Sequence, residues 1–280
     1  MSQAISASDW ASERGKKWRD QLPGMEAMIQ LVTAPLIEAL ALDGPLRIAD
    51  IGCGGGAPTL AISRQAPAGS AVHGIDISPD LIEIARGRTD TADGDIAFHL
   101  ANAESAPPPG APYDRLASRF GIMFFDNPPA AFSNLKSWLV PGGRIAFAVW
   151  GPPANNPWMT SFHDVVSQIV DVPPRDPDAP GPFRYGGGGT LLGLLDAAGF
   201  DELEVSQWRG TLPLAGGLPA AETADFAFGS FSVGDALADA DDATIAAVRK
   251  ALIQRYAEHE QDGAVRMDAH VHIVTGARPA

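Results

Sequence analysis

The segment Ile48-Ala-Asp-Ile-Gly-Cys-Gly-Gly-Gly-Ala-Pro-Thr-Leu-Ala-Ile62 constrains this chain most, because it runs an apolar strand into a helix through glycines at alternate positions, Gly52, Gly54 and Gly56. Glycine lacks a Cβ and tolerates positive φ, so such a turn bends sharply at the strand's carboxyl end and brings bare backbone against a small ligand. The looser pattern Gly52-x-Gly54-x-x-Ala57 also fits a dinucleotide fingerprint and by itself leaves the ligand open. Asp50 stands two residues before the first glycine. A second apolar run, Ala71-Val-His-Gly-Ile-Asp-Ile77, closes on Asp76, a carboxylate suited to paired ribose hydroxyls. The separation from Gly52 to Asp76, 76 − 52 = 24 residues, is compatible with more than one nucleoside-bearing ligand.

Short apolar runs near 46–51, 71–76, 95–100, 114–120 and 144–150 read as strands, with helical stretches between them, and this alternation implies parallel pairing. Ser78-Pro79 and Asn127-Pro128 have the form of an N-cap followed by proline at the first helical position. Pro141-Gly142-Gly143 predicts a turn into the fifth strand. Gly199 is placed to close a helix over Leu191 to Ala198, and Leu203 to Trp208 reads as another strand. The amino-terminal residues, about 6 to 42, read as helical. The alternation lapses over about 211 to 262, where Ala236 to Glu260 is acidic and largely helical, before a final strand-like run from Val265 to Thr275. The Pro- and Gly-rich stretches 106–112, 173–189 and 213–219 read as loops.

Taken in order, five segments resemble the class I S-adenosylmethionine-dependent methyltransferases. Asp50-Ile-Gly-Cys-Gly-Gly-Gly56 is similar to that family's first motif, and Gly74-Ile-Asp-Ile-Ser-Pro79 to its ribose-binding strand end. Ala101-Asn-Ala-Glu104 stands where the family carries an acidic residue and alanine beside the adenine. Tyr113 to Phe125 resembles its fourth strand, and Leu139 to Trp150 its Pro-Gly-Gly turn and fifth strand. Within the family, Ser118-Arg-Phe-Gly-Ile-Met-Phe-Phe125 and Asn156-Pro-Trp158 resemble the broad group related to quinone-biosynthesis methyltransferases. Gly15-x-x-Trp18, Ala198-Gly-Phe200 and the closing strand before Arg278 carry the likeness over nearly the whole chain.

The resemblance implies an α/β, doubly wound, Rossmann-like seven-stranded sheet, mostly parallel with an antiparallel last strand, under a helical cap. It implies one domain, 1–280, with core segments 43–150, 190–210 and 263–277 and cap segments 1–42, 151–189 and 211–262. S-adenosyl-L-methionine is the implied cofactor and S-adenosyl-L-homocysteine the product. The implied cofactor site comprises Trp18, Asp50, Gly52, Cys53, Gly54, Gly56, Asp76, Ile77, Asn102, Ala103, Glu104, Ser118 and Arg119. Ser118, Arg119 and Phe120 are expected to face the reaction centre, with Arg119 pairing either the cofactor carboxylate or a protein carboxylate. Asn102 replaces the usual acidic residue; its amide oxygen is expected to accept from the adenine amino group. Phe120, Met123, Phe124, Trp150 and Trp158 are the expected acceptor pocket, against the alternative of ordinary core packing.

The formal net charge of −14 and pI of 4.7 argue against a phosphate-binding surface. The densest basic run, Arg14-Gly-Lys-Lys-Trp-Arg19, is short and reads as the polar side of an amphipathic helix. A small-molecule acceptor is therefore expected, and nucleic acid is not. The single cysteine, Cys53, excludes an intrachain disulfide and a multi-cysteine metal site. No stretch approaches the roughly 18 apolar residues of a membrane span, and the first residues lack a signal-peptide core, so a cytoplasmic location is expected.

No acid–base constellation stands out. His163 is a candidate base; His270 and His272 share one strand face as ligands or as packed core residues. Glu258-His259-Glu260 diverges around a helix, and Asp239 to Asp242 reads as an exposed turn at a helix start, so no metal is expected. Three functions stay open: methyl transfer to an oxygen, carbon or nitrogen of a small apolar or aromatic molecule; cofactor binding without methyl transfer; and a nicotinamide-dependent oxidoreductase. The last leaves Asp50 and the Pro141-Gly-Gly block without a role. The sequence leaves the oligomeric state open.

Overall fold

The computed structural model describes residues 6–89, 94–110, 112–172, 176–231, 237 and 240–280. Asp239, Ala236 and parts of the loops at 106–112 and 173–189 lie outside the described residues.

Strands β1 (Arg47–Ile51), β2 (Ala71–Asp76), β3 (Asp95–Leu100), β4 (Tyr113–Arg119) and β5 (Leu139–Trp150) pair in parallel. Two later strands, β6 (Asp201–Pro213) and β8 (Ala264–Ala277), extend the sheet. β8 lies antiparallel to both β5 and β6, and the order is β3-β2-β1-β4-β5-β8-β6. Ile48, Ala49 and Ile51 of β1 and Leu116 and Ala117 of β4 are almost wholly buried, as parallel strands covered on both faces require.

Beyond the seven expected strands there is an eighth, the short β7 (Glu260–Gln261), hairpinned onto β8 through Asp262 and Gly263. Both turn residues have positive φ, +51° and +74°, matching the twist of a two-residue hairpin. The Pro-Gly-Gly segment lies inside β5 as the sheet is bonded. Leu139 pairs with Tyr113, Arg144 with Arg115, and the register shifts between them where Gly142 takes φ +74°.

Helices α1 (Ala7–Trp10), α2 (Glu13–Asp20), α3 (Leu22–Ile29) and α4 (Thr33–Ala39) precede β1. Helices α5 (Ala57–Gln65), α6 (Pro79–Gly87) and α7 (Pro128–Trp138) connect the parallel strands. α8 (Pro157–Ser167) and α9 (Gly189–Ala197) follow β5, and α10 (Ala220–Ser230) and α11 (Asp242–Ala257) separate β6 from β7. The proposed caps form: Ser78 Oγ accepts from Leu81 N at 3.5 Å, and Asn127 Oδ1 from Ala130 N at 3.2 Å. Asp241 likewise caps α11, accepting from Thr244 N at 2.8 Å. α10 is a helix that the sequence reading did not separate from its surroundings. It packs on α11 with Arg249 gripping Asp225 through two nitrogens at 2.6 and 2.8 Å.

Burial of Phe132, Leu135 and Trp138 of α7 against Phe147 and Tyr113 anchors that crossover, each large side chain contributing about 1.5–3 kcal/mol. Because β2 lies on one side of β1 and β4 on the other, the chain's direction of winding reverses between them. A crevice therefore opens at the carboxyl ends of β1 and β4. No described helix is long and apolar enough to cross a membrane.

Candidate cofactor and acceptor site

The glycine turn closes β1 as its composition requires. Gly52 and Gly54 take φ of +68° and +56°, conformations disfavoured for residues with a Cβ. A Cβ on Gly52 would lie 2.8 Å from Gly121 Cα, so the loop after β4 packs directly on the turn. A Cβ on Gly54 would meet only the Trp18 indole, at 4.0 Å, so the backbone there faces an open cavity. Gly52 N and Cys53 N both donate to Ile75 O, at 2.8 and 3.2 Å, tying the turn to the end of β2. Cys53 is buried, and desolvation pushes its thiol well up, which leaves it an unreactive wall residue.

Asp76 receives Gly54 N on Oδ2 at 2.8 Å and Ser78 N on Oδ1 at 2.9 Å. Desolvation raises its pKa against those two bonds. Each oxygen keeps a second lone pair, so the carboxylate is held rigid with capacity to accept from two hydroxyls. Asp50 is different. It lies behind the turn, fully buried, with Oδ2 accepting from Thr59 Oγ1 at 2.7 Å and Oδ1 lacking a partner among the described residues. Burial raises it to about 7, opposed by Thr59 and by the nearby Arg119. Gly56, with φ +86°, also lies off the cavity and starts α5 against Phe98.

At the end of β4 the pleat separates neighbours. Arg119 lines the cavity, with Nη1 bonded to Thr33 Oγ1 at 2.5 Å and Nε without a partner among the described residues; burial lowers its pKa to about 10. Ser118 does not face the reaction centre. Successive strand side chains alternate, and its Oγ donates instead to Ile51 O at 2.7 Å beneath the glycine turn.

The expected adenine contact also changes. Asn102 Oδ1 accepts from Glu104 N at 2.9 Å in a local turn, which leaves the amide nitrogen rather than the oxygen for a ligand. Glu104 has its two oxygens on Asp126 N (2.9 Å) and Asn127 N (2.8 Å), holding the entry to α7, although Asn102, Ala103 and Glu104 all line the cavity with Ile77.

The far wall is aromatic. Phe120 takes φ +67°, an uncommon conformation for a bulky residue, and lies flat on Trp150 with ring centroids 4.0 Å apart and planes 5° apart. Trp158 stands 4.7 Å from Trp150. Its Nε1 donates to Asn156 Oδ1 at 3.1 Å. Asn156 is completely buried and fully bonded: Oδ1 also accepts from His270 N at 3.0 Å, while Nδ2 donates to the carbonyls of Gly151, Pro152 and His270 at 3.1–3.2 Å. Met123 and Phe124 complete that side, Phe124 against Trp10 at 4.9 Å.

One cavity is lined by these walls and also by residues the sequence reading passed over, Trp10, Met25, Glu26, Met159, Ser230 and Phe231, and by Arg14, which that reading put on the polar side of a helix. The pair Trp10 and Trp18 was the available signal, being aromatic neighbours at 5.6 Å on consecutive short helices. Ser230 and Phe231 carry no motif and reach the site only through the packing of α10.

His163 is not at the cavity. It is partly exposed on α8 beside Asp164, 3.8 Å away, because the inward face of α8 is taken by Trp158, Phe162 and Val166. His270 and His272 meet edge-on, ring centroids 4.8 Å apart, among buried residues of β8, and burial lowers the pKa of His270. Glu260 accepts from Ala220 N at 2.8 Å. No group of three His, Cys, Asp or Glu suited to a metal occurs among the described residues.

Residues 48–143 match the model of a methyltransferase domain. That match covers 96 of the 280 residues (143 − 48 + 1 = 96) and, with the relatives below, supports a class I S-adenosylmethionine-dependent methyltransferase. Among relatives of this methyltransferase, demethylmenaquinone methyltransferase of Thermus thermophilus is 33% identical over 115 residues, 41% of this chain and 52% of that protein. The O-methyltransferase rstn1 of Aspergillus nomiae is 28% identical over 68% of this chain and 80% of its own. The chain spans about half the length of several curated relatives it matches, 52% and 46% in two cases. The solved YcgJ protein of Bacillus subtilis shares the fold, with a TM-score of 0.57 at 17% identity over 90% of this chain and 99% of that one.

S-adenosylmethionine is the cofactor of this family, and the cavity fits it on three observations. Bare Gly54 backbone faces open space, Asp76 is fixed with spare acceptor capacity, and the deeply buried Arg119 Nε lacks a partner among the described residues. When bound, the cofactor supplies an activated sulfonium methyl group.

Proposed function

We propose that this protein transfers a methyl group from S-adenosylmethionine to a small molecule with a flat, apolar or aromatic body. The observation that carries the reading is that one cavity is lined both by the glycine turn with Asp76 and by the Phe120–Trp150–Trp158 wall. In this reading Asp76 accepts from the ribose hydroxyls, Asn102 and Ala103 flank the adenine, and Arg119 meets the methionine carboxylate. Gly52, Cys53 and Gly54 cradle the amino-acid portion, Trp18 and Ile77 close over it, and Asp50, Gly56 and Ser118 act behind the wall by holding the turn's shape.

The aromatic wall aligns the acceptor, and its apolar surface excludes water, so the residues contribute chiefly by positioning. The titratable residues lining the cavity among those described are Arg14, Glu26, Cys53, Asp76, Glu104 and Arg119, and each carboxylate among them already has protein donors. None is placed as a base on the aromatic side. An acceptor whose nucleophilic atom is itself acidic needs none. Among the described residues, segments 1–42, 151–189 and 211–262 act as the cap of one domain, except that β6 through Pro213 and β7 join the core formed by 43–150, 190–210 and 263–277.

The test is transfer of isotopically labelled methyl from S-adenosylmethionine across a panel of phenols, hydroquinones, aromatic acids and amines. Label on a planar aromatic acceptor is the expected result. Cofactor binding with no transfer to any member would favour the non-catalytic alternative.

A further inference from the structure

The acceptor side of the cavity is not uniformly apolar. Ser230, the last residue of α10, is nine-tenths buried and lines the cavity, and its hydroxyl has no hydrogen-bond partner among the described residues. Trp10 lines the same cavity from α1, and its indole Nε1–H is likewise buried and unpartnered. Arg14 joins the two: its guanidinium donates to Ser230 O at 3.4 Å and lies 5.8 Å over the Trp10 ring, within the field of Asp9. Next in the chain, Phe231 packs edge-on to Trp158 at 5.5 Å, which makes this polar group continuous with the aromatic wall.

Burying a hydroxyl and an indole N–H without partners is unfavourable, a cost a ligand oxygen would relieve. We infer that Ser230, Trp10 and Arg14 form an oxygen-recognition subsite, so that the methyl acceptor is a planar aromatic molecule bearing an ionised oxygen substituent such as a carboxylate. This rests on the methyl-transfer reading for the word acceptor, though the subsite itself can be measured separately. The two donors supply direction and the guanidinium supplies charge, and charge-assisted bonds of this kind are the ones that discriminate an anion from its neutral isostere. The carboxylates that line the cavity are engaged elsewhere. Glu26 is paired with Arg88 at 2.8 Å, Glu104 is bonded to two backbone amides, and Asp76 is held at the opposite end.

The experiment follows tryptophan fluorescence while 2-naphthoate or its neutral isostere 2-naphthamide is added to the full chain, with and without S-adenosylhomocysteine. Expected are binding of 2-naphthoate about ten-fold tighter than of the amide, a loss of about ten-fold in naphthoate affinity in Arg14→Gln, and a smaller loss in Ser230→Ala. Both variants should weaken the amide less than the acid, since the amide oxygen carries no charge, and should leave the affinity for S-adenosylhomocysteine within about two-fold of the parent. Ser230→Ala removes an unmet donor, so its thermal midpoint should not fall. Equal affinity for acid and amide, or naphthoate binding unchanged in both variants, would overturn the subsite. Failure of S-adenosylhomocysteine to bind would instead strike the proposed function, while naphthoate binding to the ligand-free protein still decides the subsite.

Discussion

Asp76 and Asp50 show how two carboxylates 26 residues apart in the chain (76 − 50 = 26) take different work from their surroundings. Asp76, fixed by two backbone amides at the cavity's floor, is open to a ligand. Asp76→Ala should lower S-adenosylhomocysteine affinity by about ten-fold or more, the loss of two charge-assisted bonds; affinity within two-fold of the parent would remove Asp76 from the site. Asp50 is sealed behind the turn with a pKa raised from 3.8 to about 7. Its folded form therefore holds a proton more tightly than its unfolded form. The associated stability is present below about pH 4, is lost as pH rises towards about 7, and is flat beyond, a change of the order of a few kcal/mol. Urea midpoints measured from pH 4 to 8 should show this decline, and Asp50→Asn should flatten it; identical pH slopes in the two proteins would contradict the assignment.

Asn156 acts through Trp158. Its amide satisfies five partners, so Asn156→Ala should disturb the Trp150–Trp158 exciton signal in near-ultraviolet circular dichroism and weaken aromatic ligands, with cofactor affinity retained. An unchanged exciton signal in Asn156→Ala, or an equal loss of cofactor binding, would argue against such a positioning role. At this scale the sequence was legible where chemistry is local. The glycine turn and Asp76 depend on neighbours in the chain, whereas the oxygen of Asn102 and the direction of Ser118 are decided by backbone donors and acceptors brought in by folding.

Among the elements, the parallel strands and the capped starts of α6 and α7 could be read directly, since burial on both faces and an N-cap followed by proline leave short-range marks. The β7–β8 hairpin was also marked, by Asp262-Gly263, but two residues of strand fall below the length at which alternation can be recognised. α10 was harder, because its alanine- and phenylalanine-rich run buries several faces at once and shows no clear stripe. The seating of α2 is a tertiary matter. Gly15 lies where a Cβ would come 2.4 Å from Ser78 Oγ, and Arg19 reaches Asp80 at 3.1 Å, so α2 sits down on the start of α6 beside the cofactor end of the cavity. The ion pair is half-exposed and worth at most about 1 kcal/mol, so the close approach at Gly15 matters more. Gly15→Val should lift α2 and speed release of S-adenosylhomocysteine in stopped-flow fluorescence, whereas Asp80→Asn should alter it little. Equal release rates in Gly15→Val and parent would show that α2 does not retain the ligand.

For the molecule as a whole, a reversal of strand winding at β1 and β4 opens a crevice. Helices from the amino terminus and from after β5 and β6 then wall it with aromatic side chains. Parallel pairing could be expected from the alternation, but the strand order could not, since doubly wound sheets of different order share that alternation, and the depth of the crevice depends on α1, α2 and α10, whose contacts span the chain. The central claim is that this crevice takes an adenosine-bearing sulfonium donor rather than a dinucleotide. Isothermal titration calorimetry of the full chain with S-adenosylhomocysteine and, separately, NADH tests it most directly. The account predicts one-to-one, micromolar-range heat with S-adenosylhomocysteine and none with NADH; silence with the former, or saturable binding of the latter, would contradict it.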